Sequence, residues 1–468
     1  MKRGYFVTAC VVEFFLQACA STLEKNIIES LKISRNKLQV KINAAFKKNY
    51  LAEDFFVEYD EDIDLKKLDQ SLVIMPFIMN VISIIWISGQ DYYVDSLDAR
   101  LYESLEKIKQ VFKVLYPGTA WSGNLIPRRL VTNTMPHQLD EEKHIALLFS
   151  GGLDSTVSSY YLADKQQLLI TAWGQWDVPL ERPDLWRGRK ERLIKYAKRT
   201  GHTNAFLKSN YNSFLNWDVL NTLTPEINHW RLDAIEGIGW AGLTAPILFQ
   251  KGYKVLYIAS SDNWELPFPT MAIPYIDDNI SFSECHLKHH LFNYSRLQKI
   301  QWLAAKRKEL GKELLEIKGC SNRTIKNCLA CRRCLQTMCA MMLIGEDYTA
   351  YKYYLRRPKA LQRIKERVLT STVYYEDIYN YFCLARHMRE LLNKGMPVSQ
   401  DLTWLHSVTL DPTKALDVRN QTPIDWEQLH MMFPDIRAHN SEPFTIGHDW
   451  LHQENYLSSG VRDEKKDH

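Results

Sequence analysis

The sequence predicts an α/β protein built on a doubly wound parallel sheet, and three observations carry that prediction. From Lys143 onward, short apolar runs alternate with amphipathic helical stretches, the pattern of strands joined by covering helices. A glycine-rich turn, Ser150-Gly-Gly-Leu-Asp-Ser155, stands between the first of those runs and a helix. Farther on, Cys320, Cys328, Cys331 and Cys334 crowd into one segment at a spacing that suits a single tetrahedral ion.

The chain has 468 residues, 46% hydrophobic and 24% charged, enough to bury a sizeable core in two or more domains. A net charge of +4 is too small at this length to argue for nucleic acid or an anionic membrane as the partner. Five of nine cysteines lie between Cys320 and Cys339, which is metal-site clustering in a reducing cytoplasm rather than a disulfide framework.

Taken in order, residues 1–140 read as an N-terminal α/β accessory region. Its opening stretch, Met1 to Ala20, places Lys2 and Arg3 before an apolar run, but Glu13 inside that run argues for a buried element rather than an export signal. Leu72 to Ile87 is strongly apolar yet contains Pro76 and Asn80 and falls short of the roughly 20 residues a bilayer needs, so a buried core helix is expected. Leu101, Leu105, Ile108, Val111, Phe112 and Leu115 recur at helical spacing, predicting a helix over Leu97–Leu115 with one buried face, ended by Tyr116-Pro-Gly118.

Residues 141–345 carry the predicted parallel strands: Ile145 to Phe149, Leu168 to Trp173, Ala205 to Lys208 and Val255 to Ser260. Ligands of such sheets sit at the carboxyl ends of the strands, which draws attention to Trp173, Gln175, Ser260, Asp262 and Asn263; a turn pair capping the strand end competes for the last two. The proline-rich segment Leu266 to Pro274 reads as a loop over that edge. Residues 346–468 form a mostly helical C-terminal extension, clear in pattern only to about Tyr381 and closing on the mixed-charge tail Asp463 to Asp467.

The turn at Ser150 is placed where a phosphate loop must lie. Backbone N–H groups at a helix N-terminus point toward a bound anion. Gly151 and Gly152 let the chain turn tightly and approach phosphate oxygens, and Ser150 and Ser155 add hydroxyl donors. Asp154 would repel bare phosphate, so its presence suggests Mg2+ bridging carboxylate and triphosphate. The loop lacks the lysine of a Walker A sequence and suits departure of pyrophosphate. By contrast, Gly237-Ile-Gly-Trp-Ala-Gly242, with Asp262 about twenty residues on, matches a dinucleotide fingerprint without the preceding strand; close helix packing explains those glycines better. His286 and His290 have the i, i+4 spacing of metal ligands, but packed histidines are expected without a third ligand.

The four cysteines form C-x7-C-x2-C-x2-C, in which paired thiolates can close a tetrahedral Zn2+ shell, making the metal structural. Lys318, Arg323, Lys326, Arg332 and Arg333 would offset the thiolate charge, while Cys339 falls on an apolar stretch and is expected in the core.

Over roughly residues 143–345, the phosphate loop, Trp173-Gly-Gln175 and the cysteine knuckle together resemble the PP-loop ATP pyrophosphatases, and among them 7-cyano-7-deazaguanine synthase. The resemblance implies a HUP-like fold and an ATP-dependent C–N ligase that adenylates a 7-carboxy-7-deazaguanine-like carboxylate for attack by an amine. It assigns ATP binding to Ser150, Gly151, Gly152, Asp154, Ser155 and Gln175, catalysis to Asp154 and Ser155, and zinc to Cys320, Cys328, Cys331 and Cys334. The family's Pro-x-Arg-Asn segment has no counterpart here, and the chain is about twice the length of the housekeeping enzyme. It is similar in this to long members encoded in bacterial anti-phage systems, the Qat system and type IV CBASS, which implies a protein or peptide amine acceptor and defence-system partner proteins. A tRNA-modifying PP-loop enzyme and a non-catalytic scaffold of a defence complex are the alternatives.

Overall fold

The computed structural model describes residues 25–265, 272–310, 317–320, 322–351, 358–370, 373–410 and 422–436. Met1 to Ala20, most of the proline-rich loop at Leu266 and the Asp463 to Asp467 tail lie outside them.

One mixed nine-stranded sheet organises the chain. Its strands are β1 (Ile28–Ile33), β2 (Lys37–Ile42), β3 (Phe55–Tyr59), β4 (His144–Leu148), β5 (Gln166–Trp173), β6 (Thr203–Ser209), β7 (Val255–Ala259), β8 (Ser281–Phe282) and β9 (Cys285–His290). Their spatial order is β1-β2-β3-β6-β5-β4-β7-β9-β8. The central five, β6-β5-β4-β7-β9, are all parallel. The four strands expected from the apolar runs are all present, each within a few residues of its expected ends. Six consecutive residues of β5, Gln167 to Ala172, are buried, as a parallel strand covered on both faces requires.

The sheet does not stop at residue 140. β3 pairs antiparallel with β6, Leu207 opposite Tyr59 and Ser209 opposite Val57, so three strands of the N-terminal region extend the same sheet. Asn210 ties them further, its Oδ1 accepting from Phe56 N at 2.8 Å and its Nδ2 donating to Asp54 O at 2.7 Å.

The helices that matter here are α1 (Met75–Ser88), α2 (Ala99–Leu115), α3 (Leu153–Tyr161), α4 (Pro183–Thr200), α5 (Glu236–Lys251), α6 (Arg296–Leu310), α7 (Arg332–Leu343), α8 (Pro358–Leu369) and α9 (Tyr375–Asn393). α1 is the expected core helix, with Met75 to Trp86 buried throughout. α2 starts one residue after Asp98, whose carboxylate caps Leu101 N at 3.0 Å, and all six expected apolar positions are buried. α1 packs on α5 through the glycines that imitate a dinucleotide motif. A Cβ at Gly242 would stand 2.7 Å from Met79 Cβ, and Asn80 Nδ2 donates to Gly239 O at 3.2 Å across the contact. Arg231–Lys251 is also the one described helical stretch long and apolar enough to cross a bilayer, and 83% of its apolar window is buried inside the fold. The described part of the C-terminal region is helical, and α9 runs on to Asn393, past the point where the sequence pattern loses clarity.

Candidate functional site

β4 ends at Leu148, and α3 opens at Leu153. Along the parallel strands the chain order is third, second, first, fourth, fifth, so the turn after β4 lies where successive crossovers change direction, the crevice such sheets offer to ligands. Gly151 sits at φ +69°, a left-handed conformation that side chains resist. A Cβ there would also press on Leu193 Cδ2 at 3.1 Å. Ser150 Oγ accepts from Gly152 N at 3.2 Å and lies 3.3 Å from Ser155 Oγ, so the two hydroxyls close the turn on itself. From α4, Arg192 Nη2 donates to Ser150 O at 3.2 Å.

The cysteine knuckle packs against this turn, with Lys318 N donating to Gly151 O at 2.9 Å. The Sγ atoms of Cys320, Cys328, Cys331 and Cys334 all lie within 4.8 Å of one another. Four sulfurs at about 2.3 Å from one zinc stand about 3.8 Å apart; Cys320 and Cys331 Sγ are 3.8 Å apart. Backbone amides turn toward the sulfurs, Cys328 N to Cys320 Sγ at 3.4 Å and Cys331 N to Cys328 Sγ at 3.2 Å, as electron-rich thiolates demand. Leu329, at φ +60°, makes the tight bend between the second and third cysteines. The donor set and its spacing fit a closed four-thiolate metal site. Cys339 is buried in the core, as expected.

Asp154 is less open than the sequence suggests. Its Oδ2 accepts from Arg296 Nη2 at 2.9 Å, and Lys299 Nζ lies 3.7 Å from its Oδ1. That Oδ1 is buried and accepts no hydrogen bond, and the cation beside it is the Lys299 ammonium. Lys299 is itself buried and donates to Ser260 O at 2.6 Å, joining the glycine turn to the carboxyl end of β7. Burial pushes its ammonium down to about 8, against the pull of Asp154.

Beyond Arg296 the charges continue. Glu376, in the first turn of α9, faces Arg296, Arg332 and Arg333, and Asp377 takes Arg332 Nη1 at 2.7 Å. Burial opposes ionisation of Glu376, but Arg333, Arg296 and Arg332 outweigh it and hold its carboxyl down at about 2. Asp262 belongs to the same cluster; burial first, then the Glu376 charge, push it up to about 7. None of Arg296, Lys299, Glu376 or Asp377 stands in a motif of its own, and on a helix such charges read as a solvated face.

The remaining sequence candidates divide. Ser260 caps its own turn, its Oγ donating to Asp262 O at 2.7 Å. Asn263 is buried against Tyr379, with Nδ2 to Oη at 2.7 Å. Trp173 stacks on Trp186 with ring centroids 5.9 Å apart, and its indole N–H donates to Pro179 O. Gln175 accepts from Arg189 Nη1 at 3.0 Å, and Arg189 also pairs with Asp177. His286 and His290 lie on strand β9, where residues four apart stand about 13 Å from each other and cannot share an ion. His290 instead packs with Nδ1 3.0 Å from Ser158 Oγ, and burial pushes its imidazole down to about 3. Among the described residues, the four cysteines are the one group of three or more metal-ligating side chains brought together.

No family model, no curated protein and no solved structure matches the chain.

Proposed function

We propose that this chain is an ATP-dependent adenylating enzyme of the PP-loop type, similar to 7-cyano-7-deazaguanine synthase. The observation that carries the reading is the meeting of two motifs more than 160 residues apart in the chain, Lys318 of the knuckle segment bonded to Gly151 of the turn. The strand order of the parallel core supports it, 3-2-1-4-5 being the first five strands of the six-strand order 3-2-1-4-5-6 of a doubly wound nucleotide-binding sheet.

In this reading Ser150, Gly151, Gly152 and Ser155 hold the ATP phosphates, and Gln175 borders the nucleotide. Asp154 would hold Mg2+ through its unbonded Oδ1, and that ion would neutralise phosphate charge. A substrate carboxylate oxygen attacks the α phosphorus, the bond to the β-phosphate oxygen breaks, and pyrophosphate leaves. An amine then attacks the acyl carbon and displaces AMP. Positioning and charge stabilisation by the turn, Arg296 and Lys299 supply the catalysis. Zn2+ at the knuckle would brace the turn from behind. A 7-carboxy-7-deazaguanine-like carboxylate, a protein or peptide amine, a cytoplasmic setting and a role in bacterial antiviral defence complete the proposal.

Helix α4 favours a second reading, a PP-loop enzyme acting on tRNA. Its sequence PDLWRGRKERLIKYAKRT carries seven Lys or Arg against two acidic residues, and it adjoins the turn through Arg192. Pyrophosphate release by the purified protein, assayed with and without tRNA and with candidate carboxylates, separates the two. Asp154→Asn should lower that release about 100-fold or more while keeping the fold, because the amide retains the Arg296 contact. Undiminished release by the folded variant would falsify the assignment of the turn.

A further inference from the structure

Three guanidinium groups converge on one carboxylate beside the phosphate turn. Arg296 Nη1 lies 3.2 Å from Glu376 Oε1, and Arg332 Nη1 and Arg333 Nη2 each lie 3.5 Å from Glu376 Oε2. Arg296 reaches Asp154 with its other nitrogen, so the trio stands one side chain away from the turn. Arg332 and Arg333 occupy the first turn of α7, where the helix dipole disfavours cations. Helix preference therefore does not place them there; the negative charge around them does, the Glu376 and Asp377 carboxylates in front and the cysteine cluster beside them. Three planar donors around two carboxylate oxygens reproduce the way arginines surround phosphate. Without Glu376, Arg296 would keep Asp154 and Arg332 would keep Asp377, but both still face the vacated position, as does Arg333. The Glu376 and Arg333 side chains are 24% and 31% exposed, so the cradle is reachable from solvent.

We infer that Arg296, Arg332 and Arg333 form the cradle for the pyrophosphate leaving group of the proposed reaction, and that Glu376, carried by the C-terminal helical region, occupies it between turnovers. The inference rests on the adenylation reading. When the α-to-β phosphate bond breaks, its electron pair leaves with pyrophosphate, and the three guanidiniums receive that charge. Glu376 must withdraw for them to do so, and it returns as pyrophosphate departs. The C-terminal region thereby becomes part of the catalytic cycle rather than an appendage.

The test is titration calorimetry of the full zinc-loaded chain with inorganic pyrophosphate and Mg2+, and separately with ATP. Arg333→Gln should weaken pyrophosphate binding roughly tenfold, since one charged contact is lost. Glu376→Gln should tighten it roughly tenfold by removing the competing occupant; should that variant not melt cooperatively, Glu376→Asp, with its shorter reach, should tighten it in the same direction. Folded Arg333 and Glu376 variants that bind pyrophosphate as the wild type does overturn the inference. ATP binding abolished by Gly152→Val in the same series leaves the adenylation reading standing in that case, whereas ATP binding indifferent to Gly152 removes the reading and the inference together.

Discussion

Cys320, Cys328, Cys331 and Cys334 show how far single residues carry the argument. Their spacing in sequence, and the 3.8 Å between two of their sulfurs, lead to the expectation of about one zinc per chain as purified, checked by elemental analysis. Cys328→Ser should lose that metal, and because the knuckle holds Gly151 through Lys318, pyrophosphate release should fall with it; a metal-free variant with full activity would separate knuckle from turn. His290 yields a second expectation. Its imidazole is lowered to about 3 in the fold, chiefly by burial and further by Lys299, against about 6.5 in the unfolded chain. Between those values the unfolded chain binds more protons, so His290 costs stability progressively as pH falls below 6.5 and leaves it unchanged above. Melting temperature should therefore drop less from pH 7 to pH 4.5 in His290→Gln than in the wild type, and parallel pH profiles would refute the assignment. The four cysteines and the glycine turn between β4 and α3 were legible because each depends on short spacings. Arg296, Lys299 and Glu376 were not, since what unites them is contact across more than 200 residues of chain, from Asp154 to Glu376.

At the scale of elements, periodicity was readable wherever burial is one-sided or complete. The six apolar positions of α2 and the largely apolar run of α1, broken only by Asn80 and Ser83 before Ile87, each meet the core as their patterns require. The glycines of α5 were readable for a different reason, the absence of a strand before them, and their role is the close approach of α1. Gly242→Ala should thus destabilise the protein by about 1–2 kcal/mol despite alanine's better helix propensity, since the new methyl meets the Met79 Cβ and a backbone oxygen. A thermal melt reads this as a fall of several degrees, and an unchanged or raised midpoint would mean that α1 yields easily. Less legible were β1, β2 and β3, whose short half-buried strands have no loud apolar run. The helical part beyond Tyr381 was hidden because its few buried positions, Cys383, Leu384, Ala385 and Met388, stand among the charged Arg386, Arg389 and Glu390.

For the whole molecule, the decisive feature is that the sheet crosses from the N-terminal region into the parallel core. Local sequence cannot show this, because the β3–β6 pairing joins residues about 150 positions apart, and nothing in either strand names its partner. The consequence concerns what the first 140 residues can be spared to do. A chain beginning at Asp140 would lose β1 to β3 and α1 together, baring the backbone edge of β6 and the glycine face of α5. Exposed edges of that kind pair with other chains, so the truncated protein should aggregate and show no cooperative melt by circular dichroism. Substitutions on the outer face of α2 differ in kind. Glu103, Glu106 and Lys107 are exposed, and reversing their charges should shift stability by no more than about 0.5 kcal/mol. If the N-terminal region docks a protein partner, as the proposed defence role requires, those reversals should leave pyrophosphate release with free substrate intact while weakening partner capture or phage resistance. A monodisperse, cooperatively melting fragment from Asp140 onward would show instead that the N-terminal strands are an independent unit resting on a core that needs nothing from them.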